Sequence, residues 1–310
     1  MIEIFKNTIN GLESLQKVVE GCWINICAPT ADEIEQLATL DIPQDFITYP
    51  LDVDERPRIE REDDGSMLVV IRVPEYQGQN EDIPYITVPL GVVITNKYIM
   101  TVSREPNEII HQFSSGRARK FSTSKRNRFF LLILLQSAAT YLSHLREINK
   151  IVDNLEDQLQ QSMRNKGVME LLKYKKSLVY FTTALRSNQL VLERLQRAQV
   201  FTLYPDDMDL LEDVITENQQ AIETTSISSN ILSSMMDTFS SIISNNLNSV
   251  MKFLASVTIV LSVPNIVTSY FGMNVPFAIS DTPWAHWTIF GGIVVVSLAV
   301  VAIFMKRDWF

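Results

Sequence analysis

Two apolar windows near the C-terminal end constrain the fold of this chain more than any other feature. The first runs from Met251 to Phe271 and carries no charge after Lys252, and the second runs from Trp284 to Met305. A helix of about 20 apolar residues spans the roughly 30 Å hydrocarbon core of a bilayer. Because the net charge is nevertheless −9, we expect a water-exposed N-terminal part followed by two membrane helices.

Charge around these windows predicts their orientation. Lys252 precedes the first window and Lys306 and Arg307 follow the second, whereas the intervening loop, 274–283, has one acid and no base. The positive-inside rule therefore places both termini in the cytoplasm of a cell whose plasma or inner membrane holds the protein. Two helices enclose no lumen, so any conduction requires an oligomer.

Residues 1–125 indicate a mixed α/β domain with a small sheet. Thr30 and Glu33 have the spacing of a capping box, which predicts a short helix through Leu40. Apolar runs bounded by turn residues predict four strands: 23–26, 67–73, 86–94 and 98–103, with a tight turn at Asn96-Lys97 between the last two.

The motifs that residues 1–125 lack argue against several classes of function. Cys22 and Cys27 are too few for a zinc site or a secreted disulfide framework, which favours two buried reduced thiols. The first residues do not form the pattern of a signal peptide. We find no phosphate loop and no nucleophile–base grouping, so we do not expect an enzyme or a small-molecule organic substrate.

Residues 126–203 predict an antiparallel helical hairpin, whose two helices are separated by a break at Asn165-Lys166-Gly167. The apolar start of its first helix, 129–135, is too short for a span and is expected to be buried in the soluble part. A third helix is expected after Pro205 with Asp206 as its cap.

That third helix carries eight acids and no base between residues 206 and 250. The eight are Asp206, Asp207, Asp209, Glu212, Asp213, Glu217, Glu223 and Asp237. A solvated acidic face is the simpler interpretation, but self-repulsion along a helix costs stability. Divalent cations or the bases of 117–128 would relieve it. Since aromatic residues are sparse among those bases and the chain is acidic, we favour a linker or a basic face over a nucleic-acid site.

Uncharged polar groups recur along the first window at the 3.5-residue period of a helix in a left-handed bundle. The line begins at Asp237, enters the window at Met251 and ends before Gly272-Met273-Asn274. Its positions are Asp237, Ser241, Ser244, Asn248, Met251, Ala255, Thr258, Ser262, Asn265 and Ser269. Serine and threonine also bond to their own backbone or pack between helices. Asn265 favours a pore lining, because an amide in hydrocarbon needs a partner or water.

These residues resemble the CorA family of divalent-cation channels. Gly272-Met273-Asn274 after the first of two C-terminal spans, a basic tail, the acidic helix and Pro264 carry the resemblance. Further matches lie in 23–26, 54–60 and 89–91, so it covers essentially the whole chain.

The resemblance implies an α+β subunit in a homopentameric funnel that passes Mg²⁺, often with Co²⁺ or Ni²⁺. It also implies that intracellular Mg²⁺ bound between subunits closes the channel. The implied parts are a selectivity filter at Gly272, Met273 and Asn274; a pore lined by Asn248, Met251, Leu254, Ala255, Thr258, Ser262, Asn265 and Ser269; an inner entrance at Asp237; and a regulatory acid at Asp213. Met251 and Leu254 would form a hydrophobic constriction.

The chain departs from the family pattern in three places, one of which, the aromatic pair Tyr270-Phe271 before the glycine, is a tolerable variant. The second regulatory acid falls at or near Tyr49, and Asp45 and Asp52 are the nearest candidates. The outer loop lacks the family's acidic Met-Pro-Glu segment, which leaves Asp281 as its only charge. A zinc transporter of the same fold and a non-conducting, membrane-tethered ion sensor are the alternatives, and Met273 argues against the zinc branch.

The expected organisation follows from these readings. Its segments are a cytosolic α/β domain (1–125), a helical hairpin (126–203), the cytosolic part of a long stalk helix (206–250), a pore-lining membrane helix (251–271), an outer loop (272–283), a second membrane helix (284–305) and a basic tail (306–310).

Overall fold

The computed structural model describes residues 1–9, 11–37, 40, 42–116, 121–161, 165–197, 205–273, 283–307 and 309. The chain divides into two compact units, Met1–Met236 and Asp237–Phe310. The first unit is built on one mixed sheet whose strands are β1 (Ile2–Thr8), β2 (Gly11–Leu15), β3 (Trp23–Cys27), β4 (Arg58–Arg61), β5 (Met67–Tyr76), β6 (Tyr85–Ile94) and β7 (Ile99–Ser103).

The helices of the described residues differ widely in length, from 5 residues in α2 to 67 in α6. They are α1 (Ala31–Leu37), α2 (Gln44–Thr48), α3 (Glu108–Ser114), α4 (Arg126–Gln161), α5 (Asn165–Arg197), α6 (Pro205–Phe271) and α7 (Ala285–Lys306), with a 3₁₀ turn at Tyr49–Leu51 after α2.

The sheet has the order β2-β1-β3-β7-β6-β5-β4, and only its central β3–β7 pair is parallel. The four predicted strands are confirmed as β3, β5, β6 and β7, but the sheet has seven strands and is larger than expected. The three strands without a sequence prediction are β1, β2 and β4, and both edge strands of the sheet are among them. Charged residues such as Arg58, Glu60 and Arg61 in β4 suit an edge, because charge there discourages pairing with other chains.

Alternating side chains of the central strands supply two separate cores, one on each face of the sheet. On β5, Val69 and Ile71 face the larger core, which α3, α4, α5 and the start of α6 complete. Leu68 and Val70 face the smaller core, which residues around α1 and α2 complete. Both faces are covered, so these strands are apolar throughout instead of alternating with polar residues.

Local sequence signals are confirmed at some element ends. Thr30 N–H donates to Glu33 Oε2 over 2.9 Å, and Glu33 N–H donates to Thr30 Oγ1 over 3.3 Å, which is the predicted capping box. The helix that follows ends at Leu37, before the predicted end. Cys22 and Cys27 are free and buried, as expected, and burial raises the pKa of the Cys22 thiol.

Two predicted helix ends are wrong. Pro205 is the first residue of α6, so Asp206 lies inside the first turn and is not the cap. Proline suits that position because the first helical N–H has no partner within the helix. Gly167, part of the predicted break between the two hairpin helices, likewise lies within α5, which begins at Asn165. A Cβ there would come within 2.6 Å of Leu159 Cδ2, so glycine lets α5 approach α4 closely.

Candidate ion pathway

Helix α6 carries the predicted polar line without interruption. It runs for 67 residues and passes through Pro264 as a continuous helix. At about 100° per residue, the ten positions from Asp237 to Ser269 fall within a sector of about 120° around the helix. The line is therefore a stripe on one side of α6, which we call the polar stripe.

The polar stripe is open to its surroundings in the single chain. Nine of its ten side chains are exposed, and Ser262 is half-buried. Among residues 251–271 the buried side chain is Ser256, which is 0% exposed and lies about 100° around the helix from Ala255. The chain thus covers a different face of α6 and leaves the polar stripe free to face another molecule.

Hydroxyl groups of the stripe are oriented by their own helix. Thr258 Oγ1 donates to the Leu254 carbonyl and Ser262 Oγ donates to the Thr258 carbonyl, each over 2.8 Å. A hydroxyl that gives its hydrogen to the backbone keeps its oxygen lone pairs as acceptors. Bonding to the backbone therefore leaves these oxygens able to accept hydrogen bonds from the water around a cation.

Among the described residues, three helices are long and apolar enough to cross a bilayer, and they differ in how far they are buried within the protein. In α4 the apolar window is 67% buried within the protein, where residues such as Phe130 and Ile133 pack on the sheet. In α6 and α7 only 6% of each window is buried. Large apolar side chains left this open need lipid or a partner, so α4 belongs to the soluble unit, as expected, and α6 and α7 are the membrane candidates.

The predicted filter begins where α6 ends. Gly272 N–H donates to the Thr268 carbonyl over 2.9 Å, and Met273 N–H donates to the Tyr270 carbonyl over 3.4 Å. Asn274, the third residue of the predicted filter, lies outside the described residues, as does Asp281 of the loop. Met251 and Leu254, the predicted constriction, are each 57% exposed.

The three predicted regulatory acids are not brought together within one chain. Asp213 is exposed on α6. Asp45 on α2 accepts a hydrogen bond from the Tyr49 hydroxyl over 3.3 Å, and Asp52 accepts one from Asp54 N–H over 3.0 Å. Among the described residues, no three histidine, cysteine or acidic side chains are grouped to hold a metal ion.

Tyr49 occupies the position expected for the second acid, and its ring makes a cation–π contact with an arginine side chain. The Arg58 guanidinium lies 4.4 Å from the centre of the Tyr49 ring. The pKa of the Tyr49 phenol is raised, first by the nearby Asp45 carboxylate.

The acidic start of α6 is partly neutralised by the basic stretch before α4. Arg128 donates to the Asp207 carboxylate over 3.0 Å and to the Asp206 carbonyl over 3.3 Å. This confirms for Arg128 the expectation of a basic face against an acidic neighbour, whereas residues 117–120 lie outside the described part. The charges of this contact can be read from the sequence, but its partners cannot, because Arg128 and Asp207 are far apart along the chain.

A soluble α/β unit and two uncovered apolar helices, one lined with uncharged oxygens, define an integral membrane protein of the ion-transport class. The family model described as "CorA-like Mg2+ transporter protein" matches residues 20–307, and the chain belongs to this family.

Relatives along the whole chain agree with this assignment. The cobalt/magnesium transport protein CorA of Methanocaldococcus jannaschii is 28% identical over 93% of this chain and 90% of its own length. The complete structure of that organism's CorA magnesium transporter matches with a TM-score of 0.86, covering 100% of this chain and 99% of its own, at 25% identity. A zinc transport protein ZntB of Yersinia pseudotuberculosis is more distant, at 20% identity over 97% of this chain and 91% of its own.

Proposed function

We propose that this protein is a passive Mg²⁺ channel of the cell membrane, active as a homopentamer and also permeable to Co²⁺ and Ni²⁺. One observation carries the proposal: the polar stripe is left open along a continuous helix whose apolar window is otherwise uncovered. Such a stripe gains partners if several copies of α6 face a common water-filled path.

The uncharged oxygens of the stripe suit a cation that keeps its hydration water, as Mg²⁺ does, better than one that has lost it. The ion sheds its water reluctantly, so it is best met by groups that bond to its hydration shell. Ser262 and Thr258 offer oxygen acceptors, and Asn265 adds an amide without charge. A hydrated ion would be contacted first by Asn274 at the outer end and would leave past Asn248 and Asp237 at the inner end.

The constriction at Met251 and Leu254 interrupts the polar stripe and is the proposed gate. A ring of apolar side chains in a narrow pore closes it by excluding water. In the proposed assembly, Asp213 of one subunit and Asp45 or Asp52 of the next bind intracellular Mg²⁺ and hold the gate closed. Uptake is driven by the membrane potential, about 4.6 kcal/mol per divalent ion at 100 mV.

Reconstitution tests the proposal directly. Purified protein in liposomes, with an inward-negative potential and a Mg²⁺ dye inside, should give Mg²⁺ influx that stops when the potential is removed. Thr258→Val should lower the flux at least severalfold, because it removes an oxygen from the stripe at nearly constant volume. Thr268→Val is the matched control, since Thr268 lies outside the sector of the stripe, about 60° around the helix from its nearest position.

The ion panel separates the alternatives. Equal assays with Mg²⁺, Co²⁺, Ni²⁺ and Zn²⁺ should favour Mg²⁺, and Asn274→Ala should weaken that preference. Influx of Zn²⁺ alone would identify a zinc transporter of the same fold. No flux of any of these ions through protein that is correctly inserted would leave only the non-conducting sensor.

A further inference from the structure

The loop 52–57 joins the 3₁₀ turn to β4 and carries Asp52, one of the two candidates for the second acid of the proposed regulatory site. The loop contains no helix or strand, and Asp52, Val53 and Asp54 are exposed. Asp52 N–H donates to the Tyr49 carbonyl over 3.1 Å, and Asp54 N–H donates to Asp52 Oδ1 over 3.0 Å. These bonds are local, so the position of the loop on the soluble unit depends on contacts with other elements.

Arg72 of β5 makes such a contact. Its Nη1 donates to the Val53 carbonyl over 2.9 Å and to the Glu55 carbonyl over 3.0 Å. Its Nε donates to Thr87 Oγ1 of β6 over 3.1 Å, and its Nη2 donates to the Thr87 carbonyl. A guanidinium group is planar and its donors point in fixed directions. Hydrogen bonds on both of its sides therefore hold the loop at a defined place beside β6.

The backbone of Arg72 is held in turn by the helical hairpin. Asn188 of α5 accepts from Arg72 N–H over 2.9 Å and donates to its carbonyl over 2.7 Å. The Tyr141 hydroxyl of α4 donates to the same carbonyl over 3.0 Å. Asn188 and Tyr141 are both buried, so they are fixed by the packing around them. Arg72 thus connects an exposed loop to the most rigid part of the soluble unit.

The two candidate acids differ in their relation to this arginine. Asp45 lies on α2, outside the loop, and its Oδ2 accepts from the Tyr49 hydroxyl over 3.3 Å. Asp52 lies next to Val53, whose carbonyl Arg72 binds. Its Oδ1 accepts from Asp54 N–H, which orients the carboxylate and leaves Oδ2 available to a cation. Asp52 is therefore the acid whose position depends on Arg72.

We propose that Arg72 is a positioning residue of the regulatory Mg²⁺ site and that Asp52 is the second acid of that site. This inference rests on the proposed function, in which Mg²⁺ binds between Asp213 of one subunit and an acid of the next. Arg72 acts through the loop 52–57, which it holds in the conformation that presents Asp52. Mg²⁺ demands near-ideal octahedral geometry and is held by only one or two carboxylates, so a carboxylate on a loosely held loop binds it weakly.

Arg72→Met tests the proposal in planar bilayers, with the inward current recorded while Mg²⁺ is varied on the cytoplasmic side. The current of the unaltered protein should fall as this Mg²⁺ rises. Arg72→Met should need about tenfold more Mg²⁺ for half-closure, because fixing one freed backbone residue on binding costs about this factor. Loss of the charge alone predicts the opposite, since a cation near the site repels Mg²⁺.

Substitutions of the acids test the assignment of Asp52. Asp52→Asn should raise the half-closing Mg²⁺ concentration, whereas Asp45→Asn should leave it unchanged. Arg72→Met added to Asp52→Asn should have little further effect, because the arginine then positions a side chain that no longer binds the ion as a carboxylate. Full additivity of the two changes, or an effect of Asp45→Asn in place of Asp52→Asn, would overturn the assignment.

Amide hydrogen exchange of the full-length protein in detergent gives a readout that does not depend on conduction. In Arg72→Met the amides of Asp52, Asp54 and Glu55 should exchange faster, because their local bonds open once the loop is released. Arg61→Met is the matched control: Arg61 is an exposed arginine of β4 outside the loop, and its loss should change neither exchange nor closure.

The outcomes separate this role from a merely structural one. Faster exchange in Arg72→Met with an unchanged half-closing concentration would overturn the proposal, and so would tighter closure or an equal effect in Arg61→Met. Arg72→Lys keeps the charge but not the planar fork, so it should lie between the two proteins and decides the question if Arg72→Met does not fold. A conducting channel that cytoplasmic Mg²⁺ does not close would instead refute the regulatory part of the proposed function.

Discussion

The contact between Arg128 and the start of α6 makes a quantitative prediction about how the long helix is held. Replacing Arg128 with Met keeps an unbranched apolar stem but removes the charge and its hydrogen bonds. Asp207 then remains with only 9% of its side chain exposed and without its cationic partner. We expect the soluble unit to lose stability, mainly because a buried carboxylate becomes uncompensated.

The size of the loss follows from the burial of the two groups. Removing one partner of a fully buried pair costs about 3–5 kcal/mol. Arg128 is 34% exposed, so water screens part of this interaction and about 2 kcal/mol is a better expectation. For a unit of this size each kcal/mol shifts the melting temperature by about 2–4 °C, which predicts a drop of about 4–8 °C.

A double-mutant cycle with Asp207→Asn, followed by calorimetry of the full-length protein in detergent, measures the coupling. The double variant should be more stable than Arg128→Met alone, because it no longer buries an unpaired charge. Arg197→Met is the matched control: its pair with Glu193 is exposed, and its loss should cost at most about 0.5 kcal/mol. Additive single losses, or an equal loss in the control, would refute the reasoning.

Two further substitutions probe the packing of the sheet. Gly91→Ala should destabilise the soluble unit by about 1–3 kcal/mol in thermal unfolding, because its Cβ would overlap the ring of Pro50; Gly292→Ala, where a Cβ meets open space, should leave the same transition unchanged. Asn188→Ala should cost about 1–3 kcal/mol and speed exchange of the Arg72 amide, since the Asn188 side chain accepts from Arg72 N–H over 2.9 Å and donates to its carbonyl over 2.7 Å. An unchanged exchange rate at Arg72 would contradict the second prediction.

The sequence predicts the fold well where residues close together in the chain determine the local structure. The central strands have uninterrupted apolar runs because the sheet is covered on both faces, and Val69 and Val70 fill opposite cores. Thr30 and Glu33 bond to each other within one turn. The edge strands have no such signal, since Arg58–Arg61 is charged and pairs on one side only.

Contacts between distant parts of the chain explain the remaining differences. Gly167 looks like a helix breaker by itself, but Leu159 on the facing helix requires its small size. Of the candidate site, the sequence predicts the spacing of the polar stripe, and the structure adds that these side chains are open while Ser256 is buried. In the proposed assembly the regulatory acids are grouped by neighbouring subunits, which one chain's sequence does not position.

The single parallel pair in the sheet has a consequence for the order in which the protein folds. The β1–β2 and β5–β6 hairpins join near neighbours, but β3 pairs with β7 some 75 residues later. Closing that long loop carries an entropic cost, so the β3–β7 pair should form late among the sheet contacts. It can nevertheless close once Ser103 has been synthesised, long before Met251. The larger core also needs residues of α6 up to Val214, which still precede Met251 in the chain. During translation, the soluble unit can therefore bury its own apolar surface before the first membrane helix leaves the ribosome.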